Sequence, residues 1–143
     1  MFILDTNVVS ELRRPNRVDP AVAAWANSVE PNLLFLSVIT ILEVEIGAQR
    51  RERRDPTGAV LFRQWVDDWV LPGFEGRILP VDKKVALRCA SLHVPDPKSE
   101  RDAFIAATAL VHGMTVATRN LADFARTGAT LLNPWSYRAP ASP

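Results

Sequence analysis

Short runs that are apolar along their whole length constrain this chain most. Phe2-Ile3-Leu4 and Leu33-Leu34-Phe35-Leu36 are the clearest of them. A strand with one wet face alternates apolar and polar residues, whereas a solid run is buried on both faces. Ile78-Leu79-Pro80-Val81 (weakened by its proline), Thr115-Val116-Ala117-Thr118 and Thr130-Leu131-Leu132 are further strand candidates. Longer segments with helix signals lie between them. Asp19-Pro20 is a cap followed by proline at the first helical position, and it predicts a helix over Ala21 to Ala26. A long helix is predicted from Val38 to about Arg53. Asp55-Pro56 repeats the cap-plus-proline signal and predicts a helix through Trp65 and Trp69. Asp82 caps a helix reaching Leu92, and Ser99 opens an alanine-rich helix to Val111 that Gly113 stops. A short helical turn is expected near Leu121 to Ala125. Strands alternating with helices imply an α/β domain with a parallel sheet covered on both faces. In such a sheet the strand C-termini and helix N-termini share one edge, where open α/β folds bind ligands.

The 143 residues suit one domain, and 48% of them are hydrophobic, enough for a core of ordinary size. We expect the domain over residues 1–136. The residues 137–143 offer little to bury and predict a disordered tail. One cysteine excludes an intrachain disulfide and a cysteine-cluster zinc site, and two histidines are too few for a His-rich metal site. Neither His93 nor His112 has ligand-like spacing. The chain reaches Asp5 immediately after its first apolar residues, which is not the pattern of a secretory signal. No apolar stretch approaches the ~18 residues of a membrane span. The expected location is the cytoplasm. Lys+Arg 17 against Asp+Glu 16 gives a net charge of +1, so the bulk electropositivity of many nucleic-acid binders is absent.

Acidic residues gather at the predicted ligand edge. Asp5 follows the first strand and Asp82 the third. Glu43 lies early in the helix after the second strand. Asp102 is in the first turn of the Ser99 helix, and Asp123 comes shortly after the fourth strand. Each taken alone also fits a helix cap. Thr40 to Glu43 and Ser99 to Asp102 have the spacing of capping boxes, and acids near helix N-termini gain about 0.3–1 kcal/mol. Glu43 and Asp102 differ from plain caps in being embedded among apolar residues, where an unpaired carboxylate costs several kcal/mol. Several carboxylates at one edge repel one another, so their pKa values rise or a cation joins them. Oxygen ligands without His or Cys select a hard ion, Mg²⁺ or Mn²⁺. Such an ion activates water and neutralises a phosphodiester during in-line attack. The residues therefore point to a metal-dependent phosphoryl hydrolase or nuclease.

Four blocks in order carry a family resemblance. They are Ile3-Leu4-Asp5-Thr6-Asn7-Val8-Val9-Ser10-Glu11-Leu12 and Leu36-Ser37-Val38-Ile39-Thr40-Ile41-Leu42-Glu43, then Asp102-Ala103-Phe104-Ile105-Ala106-Ala107-Thr108-Ala109 and Ala117-Thr118-Arg119-Asn120-Leu121-Ala122-Asp123-Phe124, with Asn133-Pro134-Trp135 closing the match. The sequence resembles the PIN-domain ribonucleases, and within them the VapC-like toxins of bacterial toxin–antitoxin pairs, FitB-like subgroup. The resemblance implies a three-layer α/β/α fold and an Mg²⁺-dependent endoribonuclease site. Its acidic ligands carry over to Asp5, Glu43, Asp102 and Asp123, with Thr118 and Asn120 in supporting positions. Asp82 matches no family role and returns to capping. Glu45 is two residues from Glu43 and so faces elsewhere on a helix. The resemblance also implies a homodimer and an antitoxin that silences the toxin and binds operator DNA.

Other residues have two readings. Arg50, Arg51, Arg53 and Arg54 form the densest basic cluster: a solvated helix end, or a contact for RNA phosphates or an acidic antitoxin segment. Arg13, Arg14 and Arg17 raise the same question, and Arg119 lies beside the acidic edge. Trp65 and Trp69 are four apart, which favours core or interface over base stacking. Cys89 reads as a small buried apolar residue. Two alternatives to a ribonuclease remain. One is a non-catalytic partner in an antitoxin–DNA repressor complex. The other is a phosphatase of the haloacid dehalogenase type, which needs a second acid where this chain has Asn7.

Overall fold

The computed structural model describes residues 1–141, and Ser142 and Pro143 of the expected tail lie outside them. Five strands form one sheet: β1 (Phe2–Leu4), β2 (Leu34–Ser37), β3 (Ile78–Leu79), β4 (Thr115–Ala117) and β5 (Leu131–Leu132). All pair in parallel, in the order β3-β2-β1-β4-β5. The chain thus builds outward from β1 through β2 to β3, then crosses back to add β4 and β5 on the other side. This reversal makes the gap between β1 and β4 the switch point of the sheet, where parallel α/β folds leave a crevice at the strand C-termini. Register places Leu4 beside Ala117, and the Asp5 amide donates to the Ala117 carbonyl at 2.9 Å. Asp5 and Thr118 therefore emerge side by side at that crevice.

Successive residues of β1 serve opposite layers, as alternation of side chains requires. Ile3 packs with α6 (Lys83–Leu92) and α7 (Glu100–His112), in a core that includes Val85, Ile105, Val116 and Phe124. Leu4 packs on the other face with Val8, Trp25, Leu36 and Val70. These come from α1 (Thr6–Leu12), α2 (Pro20–Ser28), β2 and a π-helical segment Val66–Val70. Ala103, Ala106, Ala107 and Ala109 of α7 are all fully buried, so small side chains let this helix approach the sheet. Gly113 ends α7 at φ 67°, a left-handed conformation that costs other residues a clash with their Cβ.

Three local expectations change. The first helix of the region after Asp55 is α4 (Val60–Trp65), four residues later than the Asp55-Pro56 signal suggests. Asp55 instead accepts a hydrogen bond from the Gly58 amide at 3.1 Å and holds a turn. The helical path continues through the π segment into α5 (Leu71–Gly73). Pro72 has no N–H to donate and its ring collides with the carbonyl four residues back in a regular helix, which the wider turn relieves. Secondly, the cap of α3 (Val38–Arg54) is Ser37, whose hydroxyl accepts from the Ile39 amide at 3.0 Å. Thr40 is fully buried in the first turn, so the Thr40–Glu43 capping box does not form and Glu43 is free for another use. Ser99 caps α7 by position without a side-chain bond to the helix backbone. Thirdly, β3 keeps only Ile78 and Leu79, because Pro80 cannot extend the ladder.

At the C-terminus, α8 (Leu121–Phe124) and a 3₁₀ turn Pro134–Ser136 close the domain, with Asn133 accepting from the Trp135 amide at 2.9 Å. Tyr137 still packs against the Leu4 layer, while Ala139 to Ala141 are exposed and irregular. No helix of the described residues is long and apolar enough to cross a membrane.

Removing packing between α7 and the sheet should be costly. Ile105→Ala is expected to lower unfolding free energy by about 2–5 kcal/mol, read as a lower urea midpoint at unchanged slope. Leu87→Ala, at a side chain 66% exposed, should change it by less than about 0.5 kcal/mol.

Candidate active site

Asp5 does two jobs at the end of β1. Its Oδ1 accepts from the Thr6 amide at 2.8 Å, which caps α1. Its Oδ2 accepts from the Thr118 hydroxyl at 2.8 Å and the Asn7 amide group at 3.2 Å. Thr118, fully buried at the end of β4, is itself fixed: its oxygen accepts from the Asn120 amide at 3.0 Å and from the Asn7 side chain at 3.4 Å. Asn7 completes the network by accepting from the Arg119 amide at 3.3 Å. The carboxylate is thus locked by groups from both sides of the switch point. Its side chain is only 6% exposed.

The other acids arrive from the helices that begin at the same edge. Glu43, on the second turn of α3, accepts from the Thr6 hydroxyl at 2.8 Å. Arg101 reaches it from α7, but at 3.8 Å and half exposed. Asp102 sits partly buried in the first turn of α7, and Asp123 is exposed in α8. The acids interact electrostatically. Burial raises the pKa of Asp5 above the ordinary 3.8, and repulsion from Glu43 and Asp123 adds to it, against the Thr118 and Thr6 hydrogen bonds. Burial also raises that of Asp102, with repulsion from Asp5 and Asp123 in the same direction.

The structure therefore brings together Asp5, Glu43, Asp102 and Asp123, with Thr118 bonded to the first of them and Asn120 holding Thr118 through its backbone. Asp82 is not among them: its side chain accepts from the Val85 amide at 2.9 Å as the cap of α6. Glu45 points away and pairs with Arg63 at 2.7 Å. The roles of Thr6, Asn7 and Arg101 at this site are not legible in the sequence. The Asp-Thr-Asn run carried Thr6 and Asn7 without revealing that one orients Glu43 and the other bridges Asp5 to Thr118. Arg119 is exposed, with its guanidinium 5.0 Å from the ring centre of Trp135. Of the arginine cluster, Arg50, Arg53 and Arg54 are exposed and Arg51 is half-buried.

Among the described residues no three His, Cys, Asp or Glu side chains form a ready-made metal cluster. The chemistry of the donor set nevertheless fits a hard divalent cation. The groups on offer are carboxylates, Asp5 and Asp102 carry raised pKa values from burial and neighbouring negative charge, and the base paired with them is the half-exposed Arg101, 3.8 Å from Glu43. A cation would relieve that repulsion.

The direction of these shifts has a measurable consequence. A carboxyl with a raised folded-state pKa costs stability that builds as pH rises above the ordinary 3.8, is complete once pH passes the raised value, and vanishes well below 3.8. In EDTA at pH 7.5, Asp102→Asn is expected to raise Tm. The gain should shrink as pH falls toward 4. Carbon-detected NMR titration of the metal-free protein should place the Asp5 and Asp102 midpoints above the ordinary range. Thr118→Val should raise that of Asp5 further, and Thr118→Ser should not.

Known proteins share this architecture. Residues 2–129 match the PIN domain family. A VapC ribonuclease, Y4jK, of Sinorhizobium fredii is 37% identical over 142 residues, covering 94% of this chain and 98% of the relative. Toxin FitB of Neisseria gonorrhoeae is 35% identical over 140 residues, covering 94% and 99%. The solved structure of FitAB bound to an IR36 DNA fragment contains a chain that superposes with a TM-score of 0.86 at 34% identity, covering 97% of this chain and 99% of that one. The parallel sheet between helical layers is the PIN architecture, and the haloacid dehalogenase alternative loses its ground. Asn7, where that chemistry needs an acid, is spent on binding Asp5. The chain belongs to the PIN-domain family, in the branch that holds the VapC and FitB toxins.

Proposed function

We propose that this protein is a metal-dependent endoribonuclease and the toxin of a toxin–antitoxin pair. The observation that carries the reading is the buried Asp5 at the switch point, whose pKa burial raises and the charges of Glu43 and Asp123 raise further, beside Asp102, raised by burial and by the charges of Asp5 and Asp123. A relative named as a VapC ribonuclease supports RNA as the substrate class. Asp5, Glu43, Asp102 and Asp123 hold Mg²⁺, or Mn²⁺ in its place, directly or through water. The bound ion supplies activated water and offsets negative charge on the phosphodiester under attack.

The chain's own residues supply position. Thr118, Asn7 and the Thr6 amide fix both oxygens of Asp5, so its rotamer is set before any ligand arrives. The Thr6 hydroxyl does the same for one oxygen of Glu43, leaving the other toward Arg101. Asp102 and Asp123 stay less constrained. No side-chain nucleophile is needed, which agrees with a site lacking His and Cys.

Chains of this fold occur in a toxin–antitoxin complex of Klebsiella pneumoniae and in FitAB bound to an IR36 DNA fragment. On that basis the protein has an antitoxin partner that inhibits it, and the pair binds operator DNA.

Purified protein should cut RNA in Mg²⁺ and lose the activity in EDTA. Sequencing of RNA 5′ ends after induced expression without antitoxin would identify the substrate. Asp5→Asn and Asp102→Asn should each lower cleavage of that RNA by more than about 100-fold with an intact fold by circular dichroism. Full Mg²⁺-dependent cleavage by both variants would overturn the assignment. Metal binding without cleavage of any cellular RNA would favour a purely DNA-repressing partner role.

A further inference from the structure

The arginines of this chain do not all belong to a solvated helix end. Arg13, the C-cap of α1, and Arg14 and Arg17 just beyond it line one groove with Arg51 of α3, over Phe62 and Trp65 of α4. The groove encloses roughly 590 Å³. Two guanidinium groups are pinned rather than floating. That of Arg51 lies 3.9 Å from the ring centre of Phe62, and that of Arg13 lies 5.0 Å from the same ring and 5.9 Å from Trp65. Gly47 permits the close approach of Arg51, since a Cβ there would stand 3.2 Å from its Nη1.

None of these four arginines has a carboxylate within 4.0 Å among the described residues. The acids of α3 that could have neutralised them are committed elsewhere: Glu45 and Glu52 both bind Arg63, at 2.7 and 2.6 Å. Asp55 borders Arg51 on the far side but is turned to the Gly58 amide, and Asp68 lines the neighbouring groove beside Arg13. Like charges held together at a half-buried surface without a counter-ion are costly, and an anion removes the cost. Burial and the proximity of Arg14 and Arg51 lower the pKa of Arg13, which agrees with that repulsion.

The groove has a fixed relation to the acidic site. Helix α1 starts at Asp5 and ends beside Arg13, while α3 passes from Glu43 to Arg51. Both helices start from the C-terminal ends of neighbouring parallel strands, β1 and β2, so both run back from the same edge. Over this interval each advances about 12 Å. The arginine groove therefore lies about two helical turns from the acids along the α1–α3 seam.

We propose that this groove binds the phosphodiester backbone of the RNA substrate, at phosphates flanking the one presented to the acidic site. The proposal rests on the ribonuclease reading above. Guanidinium groups suit it because their forked donors match phosphate oxygens and stay charged at all working pH. Contacts to the backbone position a strand without reading its bases, so this groove sets alignment and affinity rather than sequence choice.

The probe is a fluorescein-labelled single-stranded RNA 20-mer of mixed sequence, bound in EDTA so that cleavage does not intervene. Arg14→Gln and Arg17→Gln change exposed side chains, and Arg13→Gln and Arg51→Gln change the pinned ones, with Tm checking the fold. Each variant should bind more weakly across unrelated sequences. Each lost phosphate contact should reduce the slope of log K against log salt by about 0.7. Arg88→Gln, on α6 away from the groove, should leave both unchanged. Wild-type affinity and slope in all four variants, or no binding of the 20-mer by the wild type, would overturn the proposal. Arginine-dependent binding of an acidic polyglutamate peptide without arginine-dependent RNA binding would also overturn it, in favour of an acidic partner segment. Metal-dependent RNA cleavage by the wild type is read separately, so the ribonuclease assignment can stand when the groove fails.

Discussion

A carboxylate buried at the point where a parallel sheet changes its direction of growth is the constraint around which this protein is organised. Asp5 is nearly enclosed, yet the residues around it supply hydrogen bonds and no close cation. A group in that position is either protonated more readily than usual or held ready for a positive ligand. The surrounding elements reinforce the second outcome. Thr118 and Asn7 donate to the charged form, while Glu43, Asp102 and Asp123 bring more negative charge to the same edge. Satisfied hydrogen bonds on Asp5, with repulsion that raises the pKa of Asp5 and Asp102, suit metal-assisted phosphoryl chemistry.

Such a site needs a rigid support, and the layers provide it. Ile3 and Leu4 anchor β1 into opposite cores, so the residue that follows cannot drift toward either face. The buried alanines of α7 draw that helix close to the sheet and so fix the height of Asp102 at its start. Capping and the proposed ligation share one carboxylate: the Asp5 oxygen that caps α1 belongs to the same group that would meet a cation. The pairing of Glu45 and Glu52 with Arg63 is the opposite case. It removes two acids from circulation and leaves Arg51 without a counter-ion on the other side of the same helix. Near-neutral total charge thus conceals an acidic edge and a basic groove, each defined by which residues are left unpaired.

The sequence resolved elements whose cause is local. Asp19-Pro20, Asp82 and Gly113 do what their residue types dictate, because caps and left-handed stops depend on a few neighbouring atoms. Asp55-Pro56 carries the same signal and starts no helix directly, because the Asp55 side chain is taken by the Gly58 amide and the chain turns before α4 begins. Thr40 and Glu43 have capping-box spacing but lie one turn too late, since Ser37 had already capped α3. Spacing alone does not tell which of two possible hydroxyls the backbone reaches first.

The sequence by itself determined a parallel α/β domain, the edge on which its acids gather, and the oxygen-only character of the ligands they offer. Those properties follow from solid apolar strands and from residue types fixed by the chain. Only the tertiary structure decided which acids share one field, that Thr6 serves Glu43 and Thr118 serves Asp5, and that arginines from positions 13–17 meet Arg51 over Phe62. The reason is the order of the sheet. Placing β4 beside β1 brings residues 113 apart into a 2.8 Å hydrogen bond, and no local pattern encodes which strands become neighbours.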